Sequence, residues 1–191
     1  MRNGQARSLR SSAHFVGNRL ACSACCKTHT EMRGIMAYPV RKRQRLKGFD
    51  YFTPTSYFVT ICTYQKHCLF GKPTDLNRFG QIAHDHLFSL PAHFPGLQID
   101  HAVVMPNHVH ILLTVHWGDV PPSQPFPNLS AIVGSYKSGV SRAIHQLQPD
   151  IDIWQKSFHD HIPCTEKDFQ DIWKYFEENP YHWENDVYHQ L

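Results

Sequence analysis

"MPNHVHILL", residues 105–113, decides how this chain is read. Pro106-Asn107 is a turn signal. The run after it, HVHILLTV (108–115), has the length and composition of a strand. Strand side chains alternate with a period of two, so His108 and His110 point the same way, about 7 Å apart along the backbone. Val109, Ile111, Leu113 and Val115 point the other way and form an apolar row for helices to cover. Two imidazoles on the opposite face can converge on one divalent ion. The spacing alone is also compatible with two solvent-facing histidines, because the chain holds 15 of them.

The flanking segments supply the rest of a fold. TSYFVTICTYQ (55–65) is β-branched and aromatic, which predicts a strand. PTDLNRFGQIAHDHLFSL follows with Phe79, Ile82 and Leu87 at helical spacing and Asp75 as a candidate N-cap. GLQIDHAVVM (96–105) is a second strand, leading into the 108–115 strand. A proline-rich loop separates it from LSAIVGSYKSGVSRAIHQL. There Leu129, Ile132, Val133, Tyr136, Val140 and Ile144 make a helical stripe, which places Tyr136 in the core. DIWQKSFHDHI (152–162) reads as a fourth strand. TEKDFQDIWKYFEENP is a helix capped by Thr165, with Asp168 three residues on, and it stops before Pro180. The order β-α-β-β-α-β-α predicts an α+β domain: a ferredoxin-like split βαββαβ antiparallel sheet with an extra C-terminal helix. Helices on one face leave the other partly free.

The final helix bears on the histidine pair. Phe169, Ile172, Trp173 and Phe176 form one stripe, Tyr175 lies off its centre, and Asn179 sits one turn beyond Tyr175. If that side meets the free face of the sheet, two imidazoles, an amide and a phenol come together. The alternative is a tyrosine at the edge of the core and an asparagine that caps the helix.

Composition bounds the class. The chain has 191 residues, enough for one domain with a real core, and 41% of them are hydrophobic. Residues 1–50 hold 11 Lys/Arg against two Asp/Glu, and residues 51–191 hold eight against 14. A basic arm on a mildly acidic body suits a polyanionic partner contacted locally. Residues 1–38 read as a disordered or mis-started extension, with Met36 a natural start, and residues 39–191 as one domain. The six cysteines lack a disulfide framework, and CSACC has no second ligand pair for zinc, so reduced cytoplasmic thiols are expected. No apolar window is long enough to span a membrane.

VMPNHVHILL, IWQKSFHDHI and YFEENP, in that order, resemble the motifs of the HUH single-strand tyrosine transposases, and most closely the REP-associated tyrosine transposases. RLKGFDYFTPTSYFVTICT and CLFG resemble the start of that subgroup, so the likeness runs over about residues 39–185. It implies a magnesium or manganese ion held by His108 and His110, with Asn179 completing the site. It implies Tyr175 as the nucleophile, carried on the extra helix. The implied activity is cleavage and rejoining of single-stranded DNA near REP-like hairpins through a 5′-phosphotyrosine intermediate, in a cytoplasmic, nucleoid-associated monomer or homodimer. Two other readings share the fold: a hairpin-binding protein that does not cleave, and a relaxase- or initiator-type nuclease. The last usually carries fused domains, not expected here, and often paired tyrosines.

DNA contacts are expected from Arg41, Lys42, Arg43, Arg45 and Lys47, an arm that can hold phosphates. Phe49, Tyr51 and Phe52 could stack on bases, and Lys137 and Arg142 are further candidate phosphate contacts. A solvated tail is the plain alternative for the arm. One departure stands out: Pro163-Cys164 follows FHDHI where the family usually has an apolar and a basic residue. His161 recurs in that motif without an assigned role.

Overall fold

The computed structural model describes residues 49–51, 53, 55–116, 128–178 and 183. Strand β1 spans Ser56–Cys62. A small hairpin, β2 (Gly71–Lys72) and β3 (Asp75–Leu76), leads to helix α1 (Arg78–His93). Then come β4 (Leu97–Met105), β5 (His108–Val115), helix α2 (Leu129–His145), β6 (His159–His161) and helix α3 (Glu166–Glu178). The four longer-range strands form one sheet in the order β4-β5-β1-β6, with every pairing antiparallel. This is the expected split βαββαβ arrangement with a third helix added.

The alternation of β5 builds the main core. Val109, Ile111, Leu113 and Val115 are buried together with Tyr57, Val59 and Ile61 of β1. Helices α1 and α2 cover that face with Ala83, Leu87, Leu90, Leu129, Ile132, Val133, Tyr136, Val140 and Ile144. Tyr136 is core, as its stripe predicts, and its hydroxyl donates to the Ala83 carbonyl. Asn128 caps α2 through its side chain on the Ala131 N–H.

The other face carries a second, smaller cluster. Leu112 of β5 is buried with Ile172 and Phe176 of α3, and Phe58, Val103 and Phe169 pack around them. The apolar stripe of α3 therefore seats on the face that the first two helices leave open. It does not join the main core, and the histidine face is covered.

Three local expectations change. Asn77, not Asp75, caps α1: its side chain accepts from the N–H groups of Phe79 and Gly80, while Asp75 pairs in the β2–β3 hairpin. The first strand ends at Cys62, after which Gln65 and Lys66 take positive φ in a short 3-10 turn. The 152–162 strand is mostly absent. Only His159–His161 pairs with β1, plus one bridge between Thr63 and Trp154. Lys137 of α2 explains the interruption. Its ammonium donates to the carbonyls of Gln155 and Ser157, and its own carbonyl accepts from the Trp154 indole. Backbone acceptors satisfied by α2 do not form a ladder with β1.

The start of α3 is tied to the sheet. The Thr165 hydroxyl accepts from the Asp168 N–H. The Asp168 carboxylate in turn takes the Cys164 N–H and sits 2.9 Å from His161 Nε2. His161 thus links β6 to the first turn of α3, and the Pro163-Cys164 departure contributes a backbone donor there.

Because α3 is held by a cluster separate from the main core, truncating Phe176 should release the helix and spare the rest. Phe176→Ala is expected to cost about 3 kcal/mol or more. Hydrogen exchange should then show fast amides across Glu166–Glu178 and unchanged protection in α1 and α2. Uniform loss of protection across the sheet and both other helices would show that the two clusters melt as one.

Candidate active site

Strand register brings the site together. His110 lies opposite Thr60 of β1 and Val103 of β4, and His108 lies opposite Cys62 and Met105. Both imidazoles lie on the α3 side and are buried, at 0% and 1% exposure. Their Nε2 atoms are 2.9 Å apart. The Tyr175 hydroxyl is 3.0 Å from His110 Nε2. Phe58 stacks on the His110 ring with centroids 5.2 Å apart, and Phe176, next to Tyr175 in sequence, packs edge-on at 6.2 Å. The Trp183 ring lies 6.0 Å from that of His108.

The far nitrogens of both rings are also engaged. His108 Nδ1 is 2.7 Å from Asn107 Oδ1, and His110 Nδ1 is 2.8 Å from Thr60 Oγ1. The turn that carries Asn107 is fixed by its backbone: Thr63 N–H donates to the Asn107 carbonyl and Phe70 N–H to that of Pro106. Burial, and secondly the neighbouring His108, hold the His110 imidazole well below its usual value of 6.5. At neutral pH His110 is therefore uncharged, with its Nε2 3.0 Å from the Tyr175 hydroxyl.

This pair of nitrogens could hold a divalent ion. Adjacent corners of an octahedron with metal–ligand bonds of about 2.1 Å are about 3 Å apart, which fits the separation of the two Nε2 atoms. Each ring has a hydrogen-bond partner on its other nitrogen, the usual support for a ligating histidine. Among the described residues, no group of three or more His, Cys, Asp or Glu gathers there or elsewhere. The third ligand expected from the sequence, Asn179, lies outside the described residues, as do Arg41, Lys42, Arg43, Arg45, Lys47 and Phe52.

Other expected contacts take different places. Phe49 and Tyr51 pack against the main core, and the Tyr51 hydroxyl donates to Asp160, so neither ring stands out for base stacking. Lys137 is half-buried and turns its ammonium toward the carbonyls of Gln155 and Ser157, where burial lowers its pKa. Arg142 is exposed on α2. Thr60 and Asn107 are site residues that sequence reasoning missed. Asn107 stood in the opening motif but was read only as a turn residue.

No family model matches the chain. A protein of Haemophilus influenzae described only as uncharacterized is 30% identical over 164 residues, covering 76% of this chain and 91% of that one. Among solved structures, that of a REP-associated tyrosine transposase bound to a REP hairpin is 22% identical. The match has a TM-score of 0.50 and covers 68% of this chain and 69% of that one. The likeness shows a shared fold.

The buried imidazole gives a pH signature. A group that binds protons less readily in the folded chain than in the unfolded one makes stability fall as pH drops through the unfolded value, 6.5 here. The limiting slope is about 1.4 kcal/mol per pH unit. Asp100 acts in the opposite sense: burial raises its carboxyl pKa, so it weakens the fold as pH rises through the carboxylate range. Comparing the wild type with His110→Gln cancels the Asp100 contribution. Urea unfolding at pH 7.5 and 5.5 should show a larger acid loss in the wild type; equal losses would place the His110 proton equilibrium elsewhere.

Proposed function

The chain belongs to the same family as the Haemophilus influenzae protein and has the fold of a REP-associated tyrosine transposase; from that premise we propose that it cleaves and rejoins single-stranded DNA near REP-like hairpins. The observation that carries the reading is the meeting of three atoms: the Tyr175 hydroxyl 3.0 Å from His110 Nε2, itself 2.9 Å from His108 Nε2.

Tyr175 is the nucleophile of this reading. Its oxygen bonds to the scissile phosphorus, the bond from phosphorus to the 3′ oxygen breaks, and the phenolic proton ends on that leaving oxygen. The product is a 5′-phosphotyrosine link and a free 3′-OH. The link keeps the energy of a phosphodiester, so a 3′-OH can reverse the step without a nucleotide cofactor. In the cation-free site His110 holds the phenol through its Nε2, 3.0 Å away. It is a poor base for it: an ordinary phenol pKa is near 10, and His110 lies below 6.5. Moving the proton from the phenol to this imidazole is therefore uphill. His108 and His110, with Asn179 as a further ligand, would hold a magnesium or manganese ion, whose positive charge would favour the phenolate and offset charge on the phosphate. The basic arm Arg41–Lys47 is the phosphate-holding element of this proposal.

Both imidazoles are buried beneath α3. The same burial favours a second reading, a hairpin-binding protein on this fold that does not cleave.

One assay separates the two. The protein is incubated with Mn²⁺ and a single-stranded oligonucleotide carrying a REP-like hairpin, labelled in turn at each end, and run on a denaturing gel. The expected result is a protein adduct that retains the 3′-end label, requires the metal, and is lost in Tyr175→Phe. Hairpin retention on a native gel with no adduct at any metal concentration would support the non-cleaving protein.

A further inference from the structure

We propose that Asn107 is a positioning residue: its side-chain oxygen holds His108 in the Nδ1–H tautomer and keeps the Nε2 lone pair aimed at His110 Nε2. The inference rests on reading His108 and His110 as a cation-binding pair.

A neutral imidazole carries one N–H, on one nitrogen or the other. His108 Nδ1 faces Asn107 Oδ1 at 2.7 Å, and that oxygen only accepts. The proton therefore sits on Nδ1, and Nε2 is left as a lone pair. The opposite tautomer would set two lone pairs against each other at this distance, with Asn107 and His108 both buried.

The alternative that Asn107 prevents is specific. With its proton on Nε2, His108 would donate across 2.9 Å to His110 Nε2. That closed pair is neutral and internally satisfied, and it uses up both nitrogens that a cation needs. The side-chain oxygen of Asn107 thus excludes the closed pair in which His108 is the donor and keeps a lone pair on His108 Nε2. Thr60 does not make this choice for His110. A hydroxyl can donate or accept, so Thr60 Oγ1 at 2.8 Å tolerates either tautomer.

The backbone of Asn107 is held independently. Its carbonyl takes the Thr63 N–H, and the preceding Pro106 carbonyl takes the Phe70 N–H. A side-chain substitution therefore leaves these anchors of the turn in place.

The test uses the full chain labelled with ¹⁵N-histidine. Two-bond ¹H–¹⁵N spectra without metal report the tautomer of each ring, and calorimetric titration with Mn²⁺ reports affinity. In the wild type, His108 should be protonated on Nδ1. Asn107→Ala should move it toward Nε2–H and weaken Mn²⁺ binding about 10- to 100-fold. Asn107→Asp, which still accepts from Nδ1–H, should keep the wild-type tautomer and bind Mn²⁺ at least as well as the wild type. A purely structural role would lower the melting temperature in both variants and leave the tautomer alone, which overturns the proposal. An Nε2–H tautomer in the wild type also overturns it, and the wild-type spectrum needs no variant to fold. Absence of Mn²⁺ binding in the wild type would sink the cation reading instead, and the tautomer shift in Asn107→Ala would still decide the role of Asn107.

Discussion

The site depends on one constraint, the register of β5 between β4 and β1. Side chains alternate along a strand, so a slip of one residue would exchange its two faces. Val109, Ile111, Leu113 and Val115 fix the choice, since each gains on the order of 1.5–3 kcal/mol from burial under α1 and α2. The slipped register would put two imidazoles in an apolar core without their partners Thr60 and Asn107, each unsatisfied group costing about 1–3 kcal/mol. Both terms favour the observed pairing, in which His110 meets Thr60 and His108 meets Cys62. The apolar half of the strand positions the polar half.

The second layer depends on that face. Leu112 lies between the histidines and Thr114 on the same side of β5 and joins Phe58 and Val103 to receive Ile172 and Phe176. Tyr175 precedes Phe176, so it projects about 100° round the helix from it and reaches His110 at the rim of the cluster. Covering the sheet has an electrostatic result. Removing His110 from water keeps it neutral, which suits a ligand for a cation and suits neither an acid nor a base for the phenol. One packing event accounts for the short Tyr175–His110 contact and for the depressed basicity of the imidazole.

Much of this was legible in the sequence, for reasons that differ by element. The β5 strand and the α2 stripe were readable because a single period governs each and burial follows it. The helix carrying Tyr175 was readable from its stripe and the Thr165 cap. The N-cap of α1 was misplaced because Asp75 and Asn77 are both capping residue types, and only the β2–β3 pairing decides between them. The long fourth strand failed because Lys137, 18 residues before Gln155, takes that segment's carbonyls, a tertiary contact without a local signal. Thr60 and Asn107 were missed for a related reason. Partners of a ring nitrogen follow from cross-strand register and turn geometry, which a motif does not encode. The seat of α3 was half visible: the sequence reading laid the Tyr175 side of the helix on the free sheet face, whereas the apolar stripe of Ile172 and Phe176 is what seats there.

The central claim is that the imidazoles of His108 and His110 and the phenol of Tyr175 share one cation. Anomalous diffraction at the manganese edge, from crystals grown with Mn²⁺, tests it most directly. The predicted result is one strong peak within bonding distance of both Nε2 atoms and adjacent to the Tyr175 oxygen. A manganese peak elsewhere on the chain, with the space between the two rings empty, would contradict it.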